Sequence, residues 1–586
     1  PEGTPAEQVL QFPAAALFVE RASAVRASLD LSEPSLLALA QVCRQLDGLP
    51  LALELAGARM SSLSLPDLAD RLGDRFGLLT RGPRTAQARQ QTLRATVEWS
   101  HALLSPPEQQ AFRRLAVFHG GWTLEAAEAV VAGEDIPAGA VFDVLDHLVN
   151  RSMAVHEPGS PSRYRMLETL RYYAAEQLDA SGERDHAAAR HATYFRHVAE
   201  QAEQGLRGHG QRAALQRLRD EHPNLRAALA WLSTDPSRVD DGLRLAGSLA
   251  LFWHLGRHVE GREVLSRLIA TPGASRQARA RALQAVSIVE RPRACLVHPS
   301  PRCAETARES LALFEAQGDA HRAALSKVLL AVELLDGSDP GRFAQLLAEA
   351  DEQFTAQADE WGHAVVAFVR LQNFIRRGDE PRSLAMGRTA SEAFRRLDDA
   401  WGLSAVLYHL GWGLKEFGRY AEAIPVLEQA IEVSSSAGVF NTAQWALSDL
   451  GVALLALGER EAASAAFDRA GSASEEVGDA AGDVLAGLGR AQIAQIDGDA
   501  ATARPLFEDA VRGLTRLGTP LWGGHALAGV AWCDWRDGLP DDAAERYSRC
   551  TLPGSSTANR PCSRPAWRVW RAWPPPWAGG TRRRRG

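Results

Sequence analysis

Glycine punctuates the second half of the chain at a fixed interval. Gly378, Gly418, Gly458, Gly498 and Gly538 stand 40 residues apart, with Gly337 one residue out of phase ahead of them. A second series, Gly318, Gly438, Gly478 and Gly518, bisects the first, and Ala358 and Asp398 fill its remaining slots. A break every 20 residues is what two helices per repeat require. Each helix, about 14 to 16 residues long, then ends where glycine can adopt the left-handed conformation beyond the last turn. One such pair cannot bury its apolar stripe alone, so the pattern predicts a solenoid of stacked helical hairpins with a concave face.

Between the breaks the period is helical. Tyr420, Ala423, Ile424, Leu427, Ala430 and Ile431 recur at three- and four-residue steps and form one stripe. Leu410-Gly411, Leu450-Gly451 and Leu488-Gly489 sit where paired helices approach closely. Trp361-Gly362, Trp401-Gly402 and Trp522-Gly523 recur at repeat starts, and their periodicity reads as packing between repeats rather than as an aromatic ligand ladder. Gly418-Arg419-Tyr420-Ala421-Glu422-Ala423, followed by Ala430, resembles the tetratricopeptide signature stretched from its usual ~34 residues to 40.

Two stretches interrupt the pattern. Residues 290–303 carry Pro292, Pro299 and Pro301, which cannot lie inside a helix. Cys295, His298 and Cys303 in that stretch have the wrong spacing and one ligand too few for a zinc site. Periodicity ends at Thr551. The final 36 residues hold eight Arg, four Trp, six Pro and no acid, a mixture expected from a GC-rich gene read out of frame, and they are expected to be disordered. Lysine occurs only at Lys327 and Lys415, which also fits GC-rich codon usage, and the Pro1 start suggests a fragment.

Composition excludes several classes. Of 586 residues, 46% are apolar and 23% charged, as in an ordinary soluble globular chain. No run reaches the ~18 apolar residues of a membrane span, and no membrane partner is expected. Six cysteines are too few for a disulfide scaffold, so a cytoplasmic setting is expected. A net charge of −7 argues against bulk nucleic-acid binding.

The amino-terminal third has a different order. Helices are expected at Ala14–Ala27, Pro34–Asp47 and Leu53–Met60, the last introduced by Gly48-Leu49-Pro50-Leu51-Ala52. After a helix from Gln91 to Leu103, Ser105-Pro106-Pro107-Glu108 forms a capping box that opens a helix through Val117. Thr123 caps a third helix and Val141–Val149 form a fourth. Alternation at Met153/Val155 and Tyr164/Met166 around a turn predicts a β-hairpin, and a closing helix begins near Glu168. That is the plan of a winged helix. The helix before its hairpin carries Asp143 and Asp146 and no Arg until Arg151, so no direct DNA contact is expected from it.

Gly48–Ala52, Gln90–Arg94 with Ala116–Trp122, and Arg165–Arg171 together resemble bacterial STAND-class ATPases. These are NB-ARC-like switch proteins found in large actinobacterial transcriptional regulators with tetratricopeptide sensors, of the LuxR and SARP types. The resemblance covers roughly residues 10–550. It implies a mainly α chain: a helical lid fragment at 1–85, a winged helix at 88–185, a helical connector at 186–270, a tetratricopeptide-like superhelix at 271–550 and an aberrant tail at 551–586. It also implies that Gly48, Leu49, Pro50 and Leu51 form the adenine side of a nucleotide site. Met166 and Glu168 would be the remains of a Met-His-Asp phosphate sensor, with Leu167 in place of its histidine.

No Gly-Lys pair exists anywhere in the sequence, so no P-loop can form. ATP or ADP would serve a longer parent protein. Without the phosphate contacts, nucleotide affinity in this chain is expected to be about millimolar or weaker. Gly-x-Ser-x-Gly, Gly-x-Gly-x-x-Gly and His-Glu-x-x-His are absent, and His186, His191 and His197 read as polar-face histidines. No catalysis is expected here. The resemblance implies a switch in which an inducer or protein binds the concave face of residues 310–550, with self-association on activation. The alternatives are a tetratricopeptide scaffold without a switch, or the sensor arm of a signalling enzyme such as a nucleotide cyclase.

Overall fold

A computed structural model describes residues 6–25, 29–46, 48, 53, 56–57, 60, 63–71, 97–98, 101–102, 104–151, 153–290, 301–477, 480–516 and 520–549. Leu49, Pro50, Leu51, Gln90–Arg94, Cys295, His298 and the tail from Thr551 therefore lie outside the described residues. Among the described residues the chain is mainly α with one small sheet, and it divides into two compact units. Pro1–His197 with Asp220–Trp231 form the first; Val198–Arg219 with Leu232–Gly586 form the second.

The first unit opens with α1 (Ala6–Val9), α2 (Pro13–Val25), α3 (Glu33–Gln45) and α4 (Leu65–Arg71). Phe18, Ala22, Leu39, Val42, Leu46 and Leu68 close a small core among them. Next come α5 (Pro106–Arg114), a 3₁₀ turn at Leu115–Val117, β1 (Trp122–Thr123), α6 (Leu124–Val131), α7 (Val141–Asn150), β2 (Val155–Glu157), β3 (Arg163–Arg165) and α8 (Glu168–Ala180). The capping box forms as the sequence requires: the Ser105 N–H donates to Glu108 Oε2 at 2.7 Å, and Ser105 in turn caps the first turn of α5. Thr123 Oγ1 accepts the Ala126 N–H at 3.2 Å and starts α6.

The sheet has the order β1-β3-β2, antiparallel throughout, with Trp122 opposite Tyr164 and Val155 opposite Arg165. Strand β1 was not legible in the sequence because two residues carry no period. Gly121 makes it possible: its φ is +93°, and a Cβ there would lie 2.7 Å from the Tyr164 carbonyl oxygen. One histidine reading is corrected. His186 and His197 are exposed, but His191 is 3% exposed, wedged against Phe118 and Phe195, and it is a core residue.

Helices α9 (Arg184–Gly205), α10 (Gln211–Asp220) and α11 (His222–Leu232) follow, then α12 (Val239–Ser248), α13 (Ala250–Gly256), α14 (His258–Ala270) and α15 (Arg276–Val289). From here the second unit is a run of hairpins: α16 (Pro301–Gln317), α17 (Ala320–Val332), α18 (Pro340–Ala356), α19 (Glu360–Arg377), α20 (Glu380–Arg396), α21 (Ala400–Glu416) and α22 (Tyr420–Ala437). It continues with α23 (Phe440–Ala456), α24 (Arg460–Val477), α25 (Ala480–Ile496), α26 (Ala500–Arg516), α27 (Pro520–Arg536) and α28 (Pro540–Arg549). Each helix from α15 onward packs on the next, and each odd-numbered helix from α15 to α27 also packs on the following odd-numbered one. The odd-numbered helices therefore form the tighter, inner row of a tetratricopeptide-like superhelix.

The 20-residue break has a two-part chemistry. Gly318, Gly378, Gly418 and Gly438 are left-handed, and so are Ala358 (φ 51°) and Asp398 (φ 52°), which hold glycine's slots without being glycine. Aspartates just after several of these breaks cap the following helix, whereas Arg419 and Val439, after Gly418 and Gly438, make no side-chain cap. Asp319, Asp339, Asp359, Asp379 and Asp399 each accept the N–H of the residue three positions on. The Leu-Gly pairs do mark close approaches: a Cβ at Gly411 would lie 2.7 Å from Leu427, and one at Gly489 would lie 2.2 Å from Phe467.

Candidate functional site

The superhelix lines a partly open cavity of about 160 Å³. Its wall is the inward stripe of each inner helix. Arg281, Gln284, Ala285 and Ile288 come from α15, and Arg322, Leu325, Val328, Leu329 and Val332 from α17. Helix α19 gives Trp361, Val365, Phe368, Val369 and Gln372; α21 gives Trp401, Ala405, Tyr408 and His409; α23 gives Thr442 and Trp445. Steps of three and four residues along each helix put these side chains on one face. Ser248, Leu251 and His254 border the same space, and α13 packs directly on α23.

Two tryptophans set one end. The Trp361 and Trp401 rings stack with centroids 6.2 Å apart and a 27° interplanar angle. The Trp361 indole N–H donates to Asp399 Oδ2 at 2.8 Å, while Asp399 Oδ1 accepts from Gln211 Nε2 and from the Gly402 N–H, each at 2.8 Å. Gln211 Oε1 accepts the Trp401 N–H at 2.9 Å. Burial pushes the Asp399 carboxyl above the usual carboxylate range, and these donors pull the other way. The tryptophans pack between repeats as the sequence predicted, and they also line the cavity.

A charged mouth adjoins the aromatic wall, with a volume of about 390 Å³. Arg207, Arg244, Arg281 and Arg322 line it together with Glu200 and Glu203. Arg281 Nη2 donates to Glu203 Oε2 at 2.6 Å and to Ser248 Oγ at 2.8 Å. Arg322 Nη2 donates to the other Glu203 oxygen at 3.3 Å, and the Arg207 guanidinium lies 5.0 Å from the Trp361 ring centre. Burial alone would raise the Glu203 carboxyl, yet the guanidiniums of Arg322, Arg281 and Arg207 hold it below its ordinary range. Burial lowers Arg207, and it lowers Arg281 as well.

Sequence reasoning missed this cluster. It pointed to residues 310–550, whereas the cavity also draws on Glu203 to Ile288 and its wall ends at Trp445. One signal was available: counting back by 40 from Trp401 and Trp361 reaches His321 and Arg281, both at the mouth. The contribution of α9, through Glu200 and Glu203, had no periodic signal.

In the first unit, the resemblance motifs are partly placed. Ala116–Trp122 and Arg165–Arg171 come together: β1 pairs with β3, and Arg171 Nη1 donates to the Ala116 carbonyl at 3.4 Å. Met166 is buried, Leu167 is the N-cap of α8, and Glu168 is engaged by Arg171, whose Nε lies 2.8 Å from Oε2. Gly48 is left-handed, with its N–H donating to Cys43 O at 3.0 Å. It adjoins Ala14 among the amino-terminal helices, whose core does not include Met166. On α7, Asp143, Asp146, His147 and Asn150 are exposed, and Asn150 donates to Asp146 at 2.9 Å. Among the described residues, no helix is long and apolar enough to cross a membrane, and no group of three metal-binding side chains occurs.

Residues 104–179 match the family model of a winged helix-turn-helix domain. A Mycobacterium tuberculosis protein named "Putative HTH-type transcriptional regulator" is 36% identical over 433 residues, which is 72% of this chain and 48% of that protein. The regulatory protein AfsR of Streptomyces griseus is 30% identical over 201 residues, covering 32% of this chain and 20% of AfsR. Among solved structures, a STAND protein with a tetratricopeptide repeat sensor from Pyrococcus horikoshii aligns over 92% of this chain and 72% of its own, at 14% identity and a TM-score of 0.46. The chain spans about half the length of the mycobacterial regulator it matches.

Proposed function

We propose that this chain is the sensing and relay part of a STAND-type transcriptional regulator. An inducer or protein partner occupies the interior of the superhelix, and its arrival releases an ADP-bound resting form so that ATP-driven self-association can follow. The observation that carries this reading is the cavity itself. Five consecutive inner helices, α15 to α23, turn apolar and aromatic side chains toward one space. An unliganded scaffold has no need to line such a space with a partnered arginine cluster. The similarity to proteins named as transcriptional regulators, and the winged-helix match, support the regulatory setting.

Within this proposal the phosphate-binding loop belongs to a longer parent protein. No catalysis is assigned to these residues, and nucleotide affinity of this chain stays near or above millimolar. Gly48 with Leu49, Pro50 and Leu51 would face adenine. Met166 and Glu168 would retain position without phosphate recognition, because Leu167 offers no hydrogen bond and Glu168 is engaged by Arg171. The winged helix serves the switch rather than DNA readout, since the outward side of α7 presents two carboxylates that phosphates would repel.

The test is to fill the cavity. Val365→Trp in the chromosomal gene adds a large side chain to the inward stripe of α19. The transcript profile of that strain under inducing growth conditions is expected to match a strain lacking the superhelix segment 310–550. A profile identical to the unmodified strain would overturn the sensor reading. Calorimetry giving micromolar ADP or ATP affinity for this chain would overturn the nucleotide part separately.

A further inference from the structure

We propose that the cavity takes a small organic anion with a single-ring aromatic body, its carboxylate or phosphate resting against Arg281 and Arg322. This rests on the sensor reading and names the chemistry of the ligand. Three independent features of the site converge on it.

Size comes first. A cavity of about 160 Å³ is close to the volume that accommodates a benzene-sized guest. The wall is correspondingly aromatic: Trp361, Trp401 and Phe368 offer ring faces and edges, and Val365 and Leu325 complete an apolar surface.

Charge comes second. Four arginines line the mouth against two glutamates, so the lining carries two more positive than negative side chains. The nearby Asp319 and Asp359 cap helices and keep their charge: Asp319 accepts the Arg322 N–H and its other oxygen lies 3.8 Å from Arg322 Nε, and Asp359 accepts the Gly362 N–H and acts on Arg207. Asp359 also holds His321 at 2.8 Å. Arg281 and Arg322 share the single Glu203 carboxylate, and an incoming anion adds a charge-assisted hydrogen bond at the guanidinium edge that Glu203 does not engage.

Unused hydrogen-bonding capacity comes third. Arg281 Nε, Gln372 Oε1 and Trp445 Nε1 are buried atoms of lining residues with no hydrogen-bond partner. Native interiors satisfy such atoms almost everywhere, so three around one space mark where a guest's polar atoms belong. Arg281 is already held at Nη2 by Glu203 and Ser248, which leaves its Nε–H as a positioned donor for an anion. Gln372 and Trp445, on α19 and α23, call for a donor and an acceptor on the ligand's far edge, such as one ring hydroxyl.

The experiment is isothermal titration of the full chain with 4-hydroxybenzoate, phenyl phosphate and the neutral benzamide, read in parallel by tryptophan fluorescence. One of the two anions is expected to bind saturably at one per chain, at least about tenfold tighter than benzamide. Whichever anion binds tighter identifies carboxylate or phosphate as the recognised group. Arg281→Met and, separately, Arg322→Gln are each expected to weaken the anion by about tenfold while leaving benzamide unchanged. Two variants guard against a single misfolded one. Benzamide binding as tightly as the anions, anion binding indifferent to both substitutions, or no saturable binding of any probe would each overturn the anion assignment. The sensor reading fails separately, in the transcript test of Val365→Trp.

Discussion

Trp361 and Asp399 join neighbouring repeats through a single hydrogen bond, indole N–H to Oδ2 at 2.8 Å. The same carboxylate caps α21 and accepts from Gln211, so one side chain that is 1% exposed fixes a cavity-lining ring, a helix start and the end of α10 nearby.

Asp399→Ala leaves Trp361 Nε1 and the Gly402 N–H without their acceptor, while Gln211 Nε2 keeps only the Leu206 carbonyl. The expected loss of stability in urea unfolding is about 3 kcal/mol, since each buried unsatisfied donor costs roughly 1–3 kcal/mol and some regain water. Trp361→Phe removes one donor and keeps the carboxylate's other partners, so it is expected to cost clearly less. Equal losses from the two variants would contradict the shared-acceptor account.

His191 sets a pH dependence whose sign follows from burial. Burial against Phe118 and Phe195 lowers its pKa from the ordinary 6.5 to about 3. The unfolded chain therefore binds a proton below pH 6.5 that the folded form refuses, and stability falls as the pH drops through that window. Between pH 6.5 and 5 this one residue is expected to remove about 2 kcal/mol, and His191→Phe should flatten that part of the profile. His409, lowered to about 4 by burial in the second unit, has the same sign and remains in the variant as an internal comparison.

Two glycines two residues apart on α25 should respond in opposite directions. A Cβ at Gly489 would meet the Phe467 ring at 2.2 Å, whereas one at Gly487 meets nothing within 4 Å. Gly489→Ala is expected to destabilise by about 1–3 kcal/mol through overpacking. Gly487→Ala is expected to stabilise by about 0.5–1 kcal/mol by improving helix propensity and restricting the unfolded chain. Thermal unfolding of the two variants reads the contrast, and Phe467→Leu should partly rescue the first.

Ala358 occupies a left-handed slot with φ 51°. Ala358→Gly is expected to stabilise by about 1 kcal/mol, because an L-residue with a Cβ pays roughly 1–2 kcal/mol there and glycine's added entropy cost is smaller. Asp398, also left-handed at φ 52°, should gain less from the same change, since Asp tolerates that region better than Ala. Chemical denaturation of both variants checks the order.

Local chemistry made the helix boundaries readable. Ser105 and Glu108, Thr123, and the 20-residue series of left-handed residues each act within four positions along the chain, so their spacing announces them. The two lysines show where that legibility stops. Lys327 and Lys415 look like residue-frequency accidents in the sequence, yet both are buried, with Lys327 Nζ 2.9 Å from Glu349 and Lys415 Nζ 2.5 Å from Asp449. A compact ammonium enters such slots more readily than a planar guanidinium. Their partners lie 22 and 34 residues away, beyond the reach of any local pattern.

The sequence by itself determined that the second half would be helical hairpins of fixed length, because helix termination and capping are decided by neighbouring residues. Only the tertiary structure decided which stripe of each hairpin turns inward, that His191 belongs to a core, and that Glu203, Arg281 and Arg322 meet. Glu203 and Arg322 lie 119 positions apart and come together through superhelical stacking, a geometry set by the sum of many helix contacts rather than by any one segment.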